Sequence, residues 1–247
     1  MSYGQNPYSS SYSMGMDAAS AAVSERVGFI RRTYLHLALA MLGFVGIEML
    51  IFAMVPQETL LMVSRTAMSG WNWLFVIGGF MVVSWLAQSW ANSGASKTMQ
   101  YAGLSLFVGA EAIIFLPLLA IAHTHFPGTI GSAAVMTLTI FGGLTAFTWL
   151  TNADFSFLRG ALVIGGFGAI GFIICAIFFG AAFGGSVISI GFSCFMIVLM
   201  SGYILYETSN ILHHYQTDQH VAAALALFSS VATLFWYVLR LFMSMRD

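Results

Sequence analysis

Three acidic residues stand inside long apolar runs: Glu48, Glu111 and Glu207. A charged side chain at the centre of a bilayer costs about 2.5 to 3.5 kcal/mol on insertion scales, so an ionisable group in such a run marks a candidate site. Glu48 lies about fifteen residues into its run and Glu111 about thirteen into its own, both entered from the same side, which predicts similar depths. Two readings stay open for this pair. The carboxyls meet and share a proton or a cation, or each stays protonated or bonded separately to a Ser, a Tyr or a backbone carbonyl. Glu207 lies about twenty residues into a later run, which returns it to the side where the first run begins, with His36 as a neighbour there. An interfacial carboxylate is the plainer reading of that position.

The last apolar segment carries Ser230, Thr233, Tyr237 and Arg240 at spacings of three, four and three, one face of a helix. That stripe is predicted to turn away from lipid, although Ser and Thr can bond back to their own helix and Arg240 can snorkel to the interface. The loop before it reads HHYQTDQH, with His213, His214, Asp218 and His220 within eight residues. It contains no HExxH and no adjacent Cys, so a solvated turn is the expectation, with no metal and no cofactor. Cys175 and Cys194 lie in apolar runs without CxxC spacing and read as small hydrophobes. An enzyme is not expected. The stretch Gly191 to Phe195 lacks the second glycine of GxSxG and a mid-membrane His to serve it, and the single lysine, Lys97, lies in a connector, which excludes a retinal Schiff base.

These residues need elements to hold them. Of 247 residues 59% are hydrophobic and 7% charged, with mean hydropathy +0.88, whereas soluble chains are about a quarter charged. A helix crossing roughly 30 Å of hydrocarbon needs about 20 mainly apolar residues, and seven stretches qualify: Thr33 to Val55, Trp71 to Ala91, Thr98 to Ala122, Thr129 to Leu150, Phe157 to Phe179, Ser186 to Ile211 and Val221 to Met243. Runs this long fit helices rather than alternating barrel strands, so the class is all-α integral membrane, with short connectors at Pro56, Asn92 to Gly94, Pro127 to Gly128, Asn152 to Asp154 and Gly184 to Gly185. In the fifth run Ala161, Gly165 and Ala169 at four-residue spacing predict a packing face. Residues 1–27, rich in Ser, Tyr, Gly and Ala, read as a flexible tail before a membrane domain over 28–247, without the order of a secretory signal. Arg26, Arg31, Arg32, Lys97 and Arg159 fall on the tail's side and Arg65, Arg240 and Arg246 on the other, which predicts a cytosolic N-terminus. Net charge of −1 with scattered basic residues argues against nucleic acid.

The stretch Gly202 to Phe242 resembles the signature region of the Bax inhibitor-1 (transmembrane Bax-inhibitor-motif) family. Tyr206, Glu207 and Thr208 match its aromatic, acid, Thr run, and Ala223, Ala224, Leu225, Leu227 and Phe228 its final-helix start; Pro117 and Asp154 to Leu158 support it. The resemblance implies a seven-helix bundle in which six helices surround a central C-terminal one. In calcium-leak members the sixth-helix acid pairs with an aspartate on the seventh as a proton-sensitive latch. Here Glu207 fills the first position but Ser230 stands at the aspartate and Thr233 at the asparagine that usually follows, so that latch lacks one carboxylate. Glu207 to His213 and the ending Met245, Arg246, Asp247 are similar to the bacterial branch that binds and modulates the FtsH-type membrane protease of the inner membrane. The resemblance therefore implies an AAA protease as partner beside the lipid bilayer, with protons or calcium as the alternative.

Overall fold

The computed structural model describes residues 17–93, 96–180 and 185–246. Residues 1–16, Gly94, Gly184 and Asp247, on which parts of the tail, connector and C-terminal expectations fall, lie outside the described residues. Among the described residues eight α-helices follow one another: α1 (Val23–Met54), α2 (Gln57–Ala67), α3 (Gly70–Ala91), α4 (Lys97–His125), α5 (Thr129–Thr151), α6 (Arg159–Phe178), α7 (Ser186–His213) and α8 (His220–Ser244). A 3₁₀ turn, Ser156–Leu158, leads into α6. All except α2 are long and apolar enough to cross a membrane. The chain is an all-α polytopic membrane bundle.

Local chemistry sets the ends. Val55 is extended ahead of Pro56, which stops α1 and opens α2. Ser96 caps α4 by accepting from the Met99 N–H at 3.2 Å. Gly128, at φ 82°, makes the turn between α4 and α5. Pro117 lies within α4, a position tolerated where neighbouring helices satisfy the freed backbone.

Two expectations shift. The segment after Pro56, read as connector, is the 11-residue helix α2. It is too short and too polar for an apolar-run criterion, and it buries only Leu60 and Ser64 while its Gln57 side chain donates to Thr124 Oγ1 at 3.0 Å. The tail boundary also moves. α1 begins at Val23, ten residues before the apolar run, and ahead of it the Ala18 N–H donates to the Tyr215 carbonyl at 2.9 Å while Asp17 bridges Gln216. Ala18 is fully buried there; Ser, Ala and Gly composition reports weak burial potential but not docking onto a distant loop.

The last helix is the centre of the bundle. In its most apolar window 72% of residues are buried, against 11 to 56% for the other spans. α1, α3, α4, α5 and α7 pack directly on α8, while α6 leans chiefly on α7 and only lightly on α3, with a cavity between it and α8. Interlocked rings join the inner helices: Phe44 and Phe107 meet Phe228 edge-on, and Phe115 stacks on Phe235 and meets Trp236 edge-on at 5.0 Å. The tightest backbone approach is between α3 and α4, where a Cβ on Gly103 would stand 2.5 Å from the Ala87 carbonyl. The packing face of α6 is Leu162, Gly165 and Ala169 against α7; Ala161, counted in the predicted stripe, is exposed.

Chain alternation assigns the connections to two faces. The face where α1 begins, the tail face, also carries the α3–α4, α5–α6 and α7–α8 connections. On the opposite face Arg246 donates to the Pro127 carbonyl at 2.9 Å and Ser244 lies 3.3 Å from Ser189, tying the end of α8 to the α4–α5 turn and the start of α7.

Candidate functional site

On the tail face the connections are clasped together. Ser209, fully buried near the end of α7, accepts from the Phe155 N–H at 2.8 Å and lies within bonding distance of the Ala153 carbonyl (3.4 Å) and Asp154 Oδ1 (3.3 Å). Asp154 also accepts from the Ser156 N–H at 2.8 Å and meets His214 Nε2 at 3.2 Å. Its carboxyl is pulled from an ordinary 3.8 down to about 2, first by that backbone N–H and then by Ser156 and His214. One residue further on, the Tyr215 hydroxyl donates to Glu207 Oε2 at 3.3 Å. Burial, and then the Glu207 carboxylate, push the Tyr215 hydroxyl above the usual tyrosine range, so it stays a donor. A cleft of about 460 Å³ opens beside these groups, with Arg159, Tyr206, Asn210 and His214 in its wall. The α7–α8 loop that carries Tyr215 is also the loop on which Ala18 docks.

Sequence reasoning singled out Glu207 but neither its partner Tyr215 nor Ser209, which holds the α5–α6 connection. Ser209 is one serine among many, and only its three-residue spacing from Tyr206 and its place inside the ETSN run set it apart. Ser230, buried on α8, bonds its own Ala226 carbonyl at 3.2 Å; no hydrogen bond joins it to Glu207 among the described residues. His36, offered as a neighbour of Glu207, instead stacks on Tyr101 and lies 5.1 Å from the ring of His220. His213 bonds the Ser209 carbonyl and His214 pairs with Asp154, so the His-rich loop is divided among separate partners. No group of three metal-ligating side chains converges among the described residues.

Toward the opposite face the polar stripe of α8 turns into a cavity. Thr233, Tyr237 and Arg240 line it, with Trp73 of α3, Ile173 of α6 and Glu111 of α4. Glu111, Tyr237 and Ser230 are buried, whereas Arg240 is exposed at the rim and without a carboxylate partner among the described residues. Glu48 is buried with neither carboxylate oxygen hydrogen-bonded. The two carboxyls are not level. Phe44 packs on Phe115 and Phe52 on His123, a register that sets Glu48 more than one helical turn beyond Glu111 along the bundle, and no hydrogen bond joins them. Counting from the first apolar residue misses this because α1 and α4 begin at different heights.

With this geometry in hand, comparison with known proteins is informative. The family model described as "Inhibitor of apoptosis-promoting Bax1" matches residues 26–247. An uncharacterized protein of Pseudomonas aeruginosa is 29% identical over 229 residues, covering 92% of this chain and 94% of that protein. A protein named Bax inhibitor 1 from Schizosaccharomyces pombe is 28% identical over 238 residues, with 96% and 84% covered. Protein LIFEGUARD 4 of Arabidopsis thaliana is 26% identical over 224 residues, with 88% and 85% covered.

Proposed function

Because this chain belongs to the Bax inhibitor-1 family of membrane proteins, we propose that it works as a binding partner and modulator of a membrane AAA protease of the FtsH type, without chemistry of its own. It sits in the bacterial inner membrane with the tail face in the cytosol. The observation that carries this reading is the docking at Asp17 and Ala18. Sixteen residues of the sequence precede it, while the described residues after it carry the clasp and the ring-packed bundle around α8. A processive unfoldase needs a segment to grip and then meets a body that resists extraction, so the protein occupies the enzyme. Ser230 supports the same reading, since a latch of two carboxylates cannot form against Glu207.

Removal of Ser2 to Met16, which leaves the docked residues in place, tests it. The expected outcome is a longer half-life in protease-active cells and loss of co-purification with the protease; unchanged turnover and unchanged co-purification contradict it.

A second reading, a proton-sensitive cation or calcium leak, is favoured by one observation: the buried Glu111 carboxyl lines a cavity with Tyr237 and Thr233. Calcium flux into proteoliposomes at acidic and neutral pH decides it. Flux that responds to pH and falls in Glu111→Gln or Glu207→Gln supports the leak, and background flux unaltered by either ends it.

A further inference from the structure

The cavity under Arg240 has a second branch that neither reading uses. About 380 Å³ in volume, it shares Trp73, Ile173, Trp236 and Arg240 with the branch that ends at Glu111, but apart from Ser244 at its end its remaining wall is apolar, from Leu118 and Ile177 to Met243. α6 forms one side of it and packs only lightly on α3, so walls of the branch belong to spans that themselves face lipid. Arg240 lies at the meeting of the two branches, four residues before the end of α8, and a cation so close to the end of a span is placed to reach headgroups. Its guanidinium is exposed and has no hydrogen-bond or ion-pair partner among the described residues. The acid in the other branch does not pair with it among the described residues. Phe115 packs on Trp236, Glu111 is one turn before Phe115 and Arg240 one turn beyond Trp236, which offsets their backbones by about 12 Å along the helices.

We propose that this branch is a binding site for an anionic phospholipid of the leaflet opposite the tail, its phosphate on Arg240 and one acyl chain between α6 and α8. An unpaired guanidinium at the interface is matched by a phosphate, which it can bond with two parallel N–H groups. An apolar slot beside it suits a chain, and the Trp73 and Trp236 rings, 6.1 Å apart and near parallel, form a flat wall for one. The site is independent of the protease reading and would stand if that reading failed.

Native mass spectrometry of the full-length protein, with phosphatidylglycerol and phosphatidylcholine of identical chains supplied together, reads it directly. Wild type is expected to retain phosphatidylglycerol with about tenfold preference, as one charge-assisted contact implies. Arg240→Gln should abolish the preference and Arg240→Lys keep part of it. Arg65→Gln, an exposed cation on α2 at the same face, should leave it unchanged, and Ile173→Trp should lower retention of both lipids by filling the slot. Equal retention of the two lipids by wild type, or a preference that survives Arg240→Gln, overturns the site. So does retention of a free fatty acid in place of the phospholipid.

Discussion

Ser209 shows how much one small side chain holds. It is fully buried and accepts the Phe155 N–H at 2.8 Å, so Ser209→Ala leaves a donor without a partner in a place water reaches poorly. Such a loss costs about 1 to 3 kcal/mol, and the thermal unfolding midpoint in detergent should fall accordingly, while Ser201→Ala, whose hydroxyl only bonds back to Ile197, should shift it far less. Tyr215→Phe removes a long bond, 3.3 Å, to Glu207; a loss at the low end of the same range is expected. Asp154 gives a pH signature. Its folded value, about 2, lies below its ordinary 3.8, so its contribution is complete above about pH 4 and disappears as pH falls from 3.8 toward 2. The difference in midpoint between wild type and Asp154→Asn should therefore be constant from pH 7 to pH 4.5 and shrink below that. A difference that shrinks on going from pH 6 to pH 5 would contradict it. At this scale the sequence was a partial guide. Acids inside apolar runs announce themselves by their cost in lipid, which is why Glu48, Glu111 and Glu207 were visible. The Tyr215 partner of Glu207 and the Ser209 clasp beside it were not, because Tyr and Ser are unremarkable in loops and helix ends.

Elements were more legible. Each of the seven apolar runs became a helix, with ends displaced by a few residues except at α1, because a hydrophobic run of about 20 residues has no other way to satisfy its backbone in lipid. What hydropathy cannot register is amphipathic or docked structure, and α2 and residues 17–27 were misplaced for that reason. Small residues gave a similar split. The stripe on α6 was visible apart from the exposed Ala161, but the close backbone contact at Gly103 had no repeated spacing to advertise it. The two glycines should behave differently. In Gly103→Ala the new Cβ meets the Ala87 carbonyl and the Ala91 nitrogen, both backbone, so α3 and α4 must separate, at a cost of about 1 to 3 kcal/mol. In Gly165→Ala the obstacle is the terminal methyl of Leu199, which can rotate away, and a change within about 0.5 kcal/mol is expected. Unfolding midpoints measured side by side in one detergent distinguish them; equal losses would contradict the contact assignment.

Seven crossings look alike to a hydropathy scan, yet in the whole molecule they are not equivalent. α8 is enclosed by protein, as the family resemblance implied, and its stripe of Ser230, Thr233, Tyr237 and Arg240 agreed in turning one face from lipid. The bundle around it is closed on the tail face by the Ser209 and Asp154 clasp and by Ala18, and on the opposite face by α2 and the Arg246 contact to Pro127. The proposed role requires such a body to resist an unfoldase that has engaged the residues ahead of Asp17. The most direct measurement is made in proteoliposomes that contain a purified FtsH-type protease, a labelled membrane substrate and this protein in excess. Slower substrate degradation with the full-length chain, and the uninhibited rate with the chain lacking Ser2 to Met16, is the predicted result. Identical degradation rates with and without the full-length chain would contradict it.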